Sequence, residues 1–149
     1  MQLLPIMIEM SGIAPRCYGT IFEGLRGIMA RLLFVDDDPF TLETLAKAAE
    51  VLGHQALIAN SGKEAYKLAT EQLPDMIFSD MRLSDTDGAS LIDLLLSQET
   101  TAHIPMFILS ASPSEDAVER SHAAGARAYL NKPIRLQTLI DLIQEYTSE

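Results

Sequence analysis

From Arg31 onward, short apolar runs alternate with amphipathic stretches. Leu32-Leu33-Phe34-Val35, Ala56-Leu57-Ile58-Ala59, Met76-Ile77-Phe78, Met106-Phe107-Ile108-Leu109 and Ala128-Tyr129-Leu130 each read as a strand, being brief, unbroken and bounded by polar or turn residues. A helical pattern follows each. After the first strand, Asp38 suits an N-cap and Pro39 the first helical position. Leu42, Leu45, Ala46 and Ala49 then share one face, and Gly53 ends the helix. Ser61 with Glu64 forms a capping box, followed by Ala65, Leu68 and Ala69. A loop through Ser84–Gly88 leads into a helix carrying Leu91, Ile92 and Leu95. Ser112-Pro113-Ser114-Glu115 reads as a second capping box with proline in the first turn. The last helix carries Leu136, Leu139, Ile140 and Ile143.

Five strand-then-helix units predict a parallel sheet covered on both faces. Continuously apolar strands fit burial on both sides. Right-handed crossovers then give a doubly wound α/β sandwich. Ligands of such sheets bind beyond the carboxyl ends of the strands, near the switch in strand order.

Composition narrows the class. The 149 residues, 48% of them hydrophobic, suit one packed domain. Eleven Lys+Arg against 21 Asp+Glu leave a net charge of −10. That charge argues against direct nucleic-acid binding and against docking on anionic membranes. Charged residues in 1–29 are Glu9, Arg16, Glu23 and Arg26, which cancel, so the whole −10 lies on residues 30–149. The chain therefore divides into an N-terminal extension, 1–29, and a domain, 30–149. Three readings of the extension compete: a loosely ordered tail, sequence upstream of a true start at Met29, or an interaction arm. Its apolar stretch Leu3–Met10 lacks a basic flank and is interrupted by Glu9, which does not fit a secretory signal. No apolar run reaches the roughly 18–20 residues of a membrane span. Cys17 stands alone, and His54, His103 and His122 are scattered, so neither disulfides nor a Cys/His metal site is expected. A cytoplasmic protein is the expectation.

Polar groups collect where the strands end. The first strand runs into Asp36-Asp37-Asp38, the third into Ser79-Asp80, the fourth into Ser110, and Lys132-Pro133 follows the fifth. Singly, each has an ordinary explanation: an acidic first turn, a turn residue, a polar strand terminator, a surface turn. Together they lie along one predicted sheet edge. Asp36, Asp37 and Asp80 would converge there, and close like charges need compensation. A hard divalent cation such as Mg²⁺ is the simplest. A carboxylate at a strand end is also a possible phosphoryl acceptor. Phosphoryl transfer needs a cation, an ammonium and a small donor, which Mg²⁺, Lys132 and Ser110 would supply.

On these residues, 30–149 resembles a response-regulator receiver domain of two-component signalling. The first-strand motif Leu33-Phe34-Val35-Asp36-Asp37-Asp38-Pro39 carries an acidic pair. Met76-Ile77-Phe78-Ser79-Asp80 with Asp87-Gly88 resembles the phospho-acceptor strand and loop. Ile108-Leu109-Ser110-Ala111 resembles the strand of the switch hydroxyl, and Tyr129-Leu130-Asn131-Lys132-Pro133 the aromatic switch and lysine. The intervals 37→80, 80→110 and 110→132, of 43, 30 and 22 residues, fit the family. The resemblance implies a flavodoxin-like strand order, 2-1-3-4-5, with five helices. It implies that Asp80 accepts a phosphoryl group from a histidine kinase or phosphotransfer protein. Mg²⁺ would be held by Asp36, Asp37, Asp80 and the backbone carbonyl of Arg82. Ser110 would hydrogen-bond the phosphoryl group, Lys132 would pair with it, and Tyr129 would rotate inward as Ser110 moves. Pro133 would follow a cis peptide.

The family reads out its state on the fourth helix, fifth strand and fifth helix. Here that face spans about 113–124, 127–130 and 135–146, with Glu115, Asp116, Glu119, Arg127, Asp141 and Glu145 exposed. Leu83-Ser84 departs from the frequent Met-Pro, and Arg82 has three readings: pairing with the acidic cluster when metal is absent, contact with the phosphoryl group, or a solvated arginine. No output domain follows the last helix, so the expectation is a stand-alone receiver or a fragment, as monomer or phosphorylation-dependent dimer. It would not be an enzyme beyond its own phosphoryl transfer and dephosphorylation. The alternatives are a pseudo-receiver, binding partners without phosphorylation, and a Mg²⁺-dependent phosphatase, for which 120 residues leave little room.

Overall fold

The computed structural model describes residues 29–147. The readings of the N-terminal extension therefore lie outside the described residues, Met29 excepted. Ten elements alternate: β1 (Arg31–Val35), α1 (Pro39–Val51), β2 (Gln55–Ala59), α2 (Gly62–Gln72), β3 (Met76–Asp80), α3 (Gly88–Leu96), β4 (Met106–Ser110), α4 (Glu115–Ala124), β5 (Ala128–Asn131) and α5 (Leu136–Thr147). The strands form one parallel sheet in the order β2-β1-β3-β4-β5. This is the doubly wound, flavodoxin-like arrangement the sequence implied.

Alternation along each strand divides the core in two. Leu33, Val35, Ile77, Met106 and Ile108 face one side, packed with Ala65 and Ala69 of α2 and Leu91, Ile92 and Leu95 of α3. Leu32, Phe34, Met76, Phe78, Phe107 and Leu109 face the other, against Leu42, Leu45 and Ala49 of α1 and Leu139 and Ile143 of α5. Register sets a stack of aromatic rings on this second side. Phe34 pairs with Phe78, and Phe78 with Phe107, across neighbouring strands. Their centroids lie 5.5 and 5.0 Å apart, and Tyr146 of α5 closes the row edge-on at 5.2 Å. Such pairs add about 0.5–1.5 kcal/mol each beyond burial. The outer strands depart from the expected two-sided burial: Ile58 on β2 is 47% exposed, and no residue of β5 is fully buried. Each is an edge strand with a neighbour on one side only.

The helix starts follow local chemistry. Asp38 caps α1, accepting from the Phe40 N–H at 3.3 Å and the Thr41 hydroxyl at 2.7 Å, with Pro39 just inside. Ser61 caps α2, accepting from the Glu64 N–H at 3.1 Å, while Glu64 accepts from the Asn60 N–H, one residue before the cap. The expected box at Ser112 is displaced. Ser114 is the N-cap of α4, accepting from Ala117 N–H at 3.1 Å, and Ser112-Pro113 remain in the loop. The later cap places both Glu115 and Asp116 in the first turn, where the helix dipole favours negative charge. The Ser112 N–H instead donates back to the Ser110 hydroxyl. Leu136 also departs from its expected apolar face: it sits at the start of α5 and is 53% exposed.

Two predictions follow from this packing. A Cβ on Gly88 would lie 2.5 Å from the Asp80 carbonyl oxygen and 2.7 Å from Ile108 Cδ1. Gly88→Ala should therefore cost about 1–3 kcal/mol, read as a lower urea midpoint with unchanged slope. His54 is buried and its Nδ1 accepts from the Ala30 N–H at 3.0 Å. Burial holds its pKa below the ordinary imidazole value, with the charge of Asp75 opposing. The folded state thus prefers the neutral ring. That contribution is complete above an unfolded-state pKa of about 6.5 and is lost as pH falls below it. Urea midpoints between pH 7 and pH 5 should decline, and His54→Gln should flatten that decline.

Candidate functional site

Register carries the polar residues to one edge. Val35 pairs with Ser79, so Asp36, just past the end of β1, and Asp80, the last residue of β3, lie side by side at the edge. Asp80 pairs with Leu109 on β4, and Ser110 with Asn131 on β5, so Lys132 emerges next to them. Oxygens of Asp36, Asp37 and Asp80 all lie within 4.8 Å of one another. Asp36 is buried, Asp80 half-buried and Asp37 exposed, which leaves the cluster open to solvent on the Asp37 side.

Asp36 is fully engaged. Its Oδ1 accepts from the Asp38 N–H at 2.9 Å, and its Oδ2 pairs with the Lys132 ammonium. The same ammonium lies 3.4 Å from Asp80 Oδ2. Burial pushes the Asp80 carboxyl above the usual carboxylate range. The Lys132 charge pulls it down, the Asp36 charge pushes it up, and the backbone N–H of Arg82 favours the ionised form. Burial also opposes the charge on Lys132, but the hydrogen bond to Asp36 and the charges of both carboxylates outweigh it, so its pKa is raised. The ammonium therefore stays protonated. Three carboxylates against one ammonium leave two negative charges uncompensated. An all-oxygen donor set with that deficit fits a hard divalent cation.

The remaining site residues surround this cluster. The Ser110 hydroxyl is buried and accepts from the Ser112 N–H at 3.3 Å; no hydrogen bond joins it to Asp80. The Lys132–Pro133 bond is cis, and the Lys132 N–H donates to the Ser110 carbonyl at 2.9 Å. The Tyr129 ring packs against the α2–α3–α4 side of the core, with its hydroxyl buried and unpartnered. The side chain is thus already inward. Arg82 is exposed, and among the described residues no ion pair joins it to the acidic cluster. Lys132 fills that place, because a side chain leaving the end of β5 points across the edge toward β1 and β3.

Three contacts were not foreseen. Asp87 caps α3, accepting from the Ser90 N–H at 2.7 Å, and its second oxygen takes Arg120 of α4 at 2.8 Å. Its position three residues before Ser90 was a legible cap signal, whereas the arginine, 33 positions away, was not. Ser121 of α4 is fully buried and its hydroxyl lies 3.7 Å from Met81 Sδ. Asp85 accepts from the backbone of α2, 22 and 23 residues earlier. On the expected readout face Glu115, Asp116, Glu119, Arg127, Asp141 and Glu145 are all exposed, and Arg127 lies over the Tyr146 ring at 5.5 Å.

The profile of the response regulator receiver domain matches residues 32–144. The chain belongs to the response regulator receiver family. The polar-differentiation response regulator DivK of Brucella ovis is 29% identical over 118 residues, covering 79% of this chain and 96% of DivK. Protein PilH of Pseudomonas aeruginosa is 33% identical over 115 residues, covering 77% of this chain and 95% of PilH. Among solved structures, the receiver domain of a sensor histidine kinase from Pseudomonas aeruginosa superposes with a TM-score of 0.73 at 27% identity, covering 79% of this chain and 97% of that domain. That structure holds a magnesium ion in its active-site cleft. No helix among the described residues is long and apolar enough to cross a membrane.

The charge balance gives a test. Because the folded-state pKa of Asp80 is raised, ionising it costs stability as pH climbs above an unfolded-state value of about 3.9. Lys132 holds that cost down. In Lys132→Met, urea midpoints between pH 4 and pH 8 should fall more steeply than in the wild type. Equal slopes would mean that Lys132 does not compensate Asp80.

Proposed function

We propose that this receiver is a phosphorylation switch in two-component signalling, with Asp80 as the acceptor. The observation that carries the reading is the triad of carboxylates within 4.8 Å, spanned by one protonated lysine at the carboxyl edge of the sheet. An ionised Asp80 oxygen attacks the phosphorus of a phosphohistidine on a histidine kinase or phosphotransfer protein. The P–N bond breaks and its electron pair returns to the imidazole. Lys132 keeps Asp80 ionised before attack and meets the added negative charge afterwards. Asp36, Asp37, Asp80 and the Arg82 carbonyl would hold Mg²⁺, which supplies charge neutralisation across the phosphoryl oxygens. The Ser110 hydroxyl, held now by Ser112 at 3.3 Å, is free to reorient and donate to the phosphoryl group. Movement there and at Tyr129 alters the face of α4, β5 and α5, where a downstream protein docks. The near-complete coverage of DivK and PilH supports a response-regulator role for the receiver; its expected partners are a histidine kinase or phosphotransfer protein and a downstream protein. Its net charge of −10 gives no support to direct nucleic-acid contact.

Intact-mass spectrometry after incubation with acetyl phosphate and Mg²⁺ tests this. One phosphoryl group should appear on the wild type, none on Asp80→Asn, and none on the wild type in excess EDTA. Absence of any gain on folded wild type would replace this reading with a pseudo-receiver that binds its partners unphosphorylated.

A further inference from the structure

The segment between Asp80 and α3 is a tight hairpin. The Leu83 N–H donates to the Thr86 carbonyl at 3.1 Å, Arg82 and Asp87 bridge antiparallel, and the Gly88 N–H donates to the Met81 carbonyl at 2.8 Å. Its tip is pinned outside itself. Asp85 Oδ1 accepts from the Gly62 N–H at 2.8 Å, and Oδ2 from the Lys63 N–H at 2.9 Å. These are the first two N–H groups of α2, which have no partner within their own helix; Ser61 takes the third. Gly62 is what allows the approach: a Cβ there would lie 2.4 Å from Thr86 Cγ2 and 3.3 Å from Asp85 Oδ1. The hydrogen bonds from α2 hold the Asp85 carboxyl below the usual carboxylate range, so the contact is made by a full charge at neutral pH. The hairpin also carries Arg82, whose carbonyl is the one expected magnesium ligand that lies neither on β3 nor directly after β1.

We infer that Asp85 is a positioning residue for the metal site, holding the β3–α3 hairpin on the N-terminus of α2 so that the Arg82 carbonyl is presented at a fixed place beside Asp36, Asp37 and Asp80. Ser84 stands where a proline would have stiffened the turn, and the two bonds from Asp85 supply that stiffness from outside. The inference rests on the reading of this cluster as a Mg²⁺ site.

The test is an amide-shift NMR titration of the full chain with MgCl₂ and no phosphodonor. Asp85→Ala should raise the Mg²⁺ Kd about tenfold, the low end for residues that orient ligands. Asp85→Asn, keeping one acceptor, should fall between. Gly62→Ala, which pushes the tip away chiefly through Thr86 and leaves the Asp85 carboxylate in the chain, should shift Kd in the same direction. Ser61→Ala removes the other cap of α2, so it should lower the urea midpoint and leave Kd unchanged. A folded Asp85→Asn or Asp85→Ala within about twofold of wild type, or an equal Kd shift in Ser61→Ala, would overturn the positioning role. A wild type that shows no Mg²⁺ response at all would overturn the underlying metal-site reading instead, a result distinct from a wild type that binds and an Asp85 variant that binds equally well.

Discussion

Everything at the carboxyl edge depends on one ammonium shared by two carboxylates. Lys132 pairs with buried Asp36 and reaches Asp80 at 3.4 Å. A buried carboxylate without a partner would protonate or destabilise the fold. With the partner, the ionised form of Asp80 is favoured against the effect of its burial. The arrangement is nevertheless under-compensated, since Asp37 adds a third charge. A site left electrically short is one that gains from a cation or from a group that recruits one. The same lysine joins opposite ends of the domain, as it sits 96 residues from Asp36. The ion pair therefore reports that β1, β3 and β5 have reached their final order.

The edge is rigid because the layers beneath it are. Phe34, Phe78 and Phe107 stack across three strands at 5.0–5.5 Å, two residues before Asp36 and Asp80 and three before Ser110. Close-packed layers of this kind transmit displacement rather than absorb it. Above the sheet, the loop after Asp80 is held from both sides: Asp85 rests on α2, and Asp87 takes Arg120 of α4. Ser121 against Met81 adds a second contact from α4. A change at Asp80 thus meets α4 within a few bonds, and α4 borders the face that the family uses for readout. The buried, unpartnered Tyr129 hydroxyl sits in the same region. Such a group costs about 1–3 kcal/mol, which apolar burial of the ring offsets and which an outward rotation would relieve.

Most of the architecture was legible in the chain. Five apolar runs, each followed by a period-3.6 pattern, specify five βα units, and β-strand continuity specifies parallel pairing. Asp38-Pro39 and Ser61 mark their helix starts through side-chain oxygens placed before unsatisfied N–H groups. Local signals failed where two were in competition. The box read at Ser112 gave way to a cap at Ser114, which places the acidic pair at 115–116 in the first turn. They failed again at Leu136, whose helical phase was right but whose place at the start of α5 leaves it uncovered.

By itself the sequence determined which residue types stand at the ends of the strands, and so which chemistry this edge can hold: acids just past β1 and at the end of β3, a hydroxyl at the end of β4, a lysine just past β5. These follow from periodicity, since the point where an apolar run stops is local information. Only the tertiary structure decided how those groups share their charge. That Lys132 rather than Arg82 meets the carboxylates, and that Asp85 and Asp87 clamp the loop to α2 and α4, depend on distances between residues 22 to 96 positions apart. Such distances are set by sheet order and helix packing, for which no short stretch of the chain carries a signal.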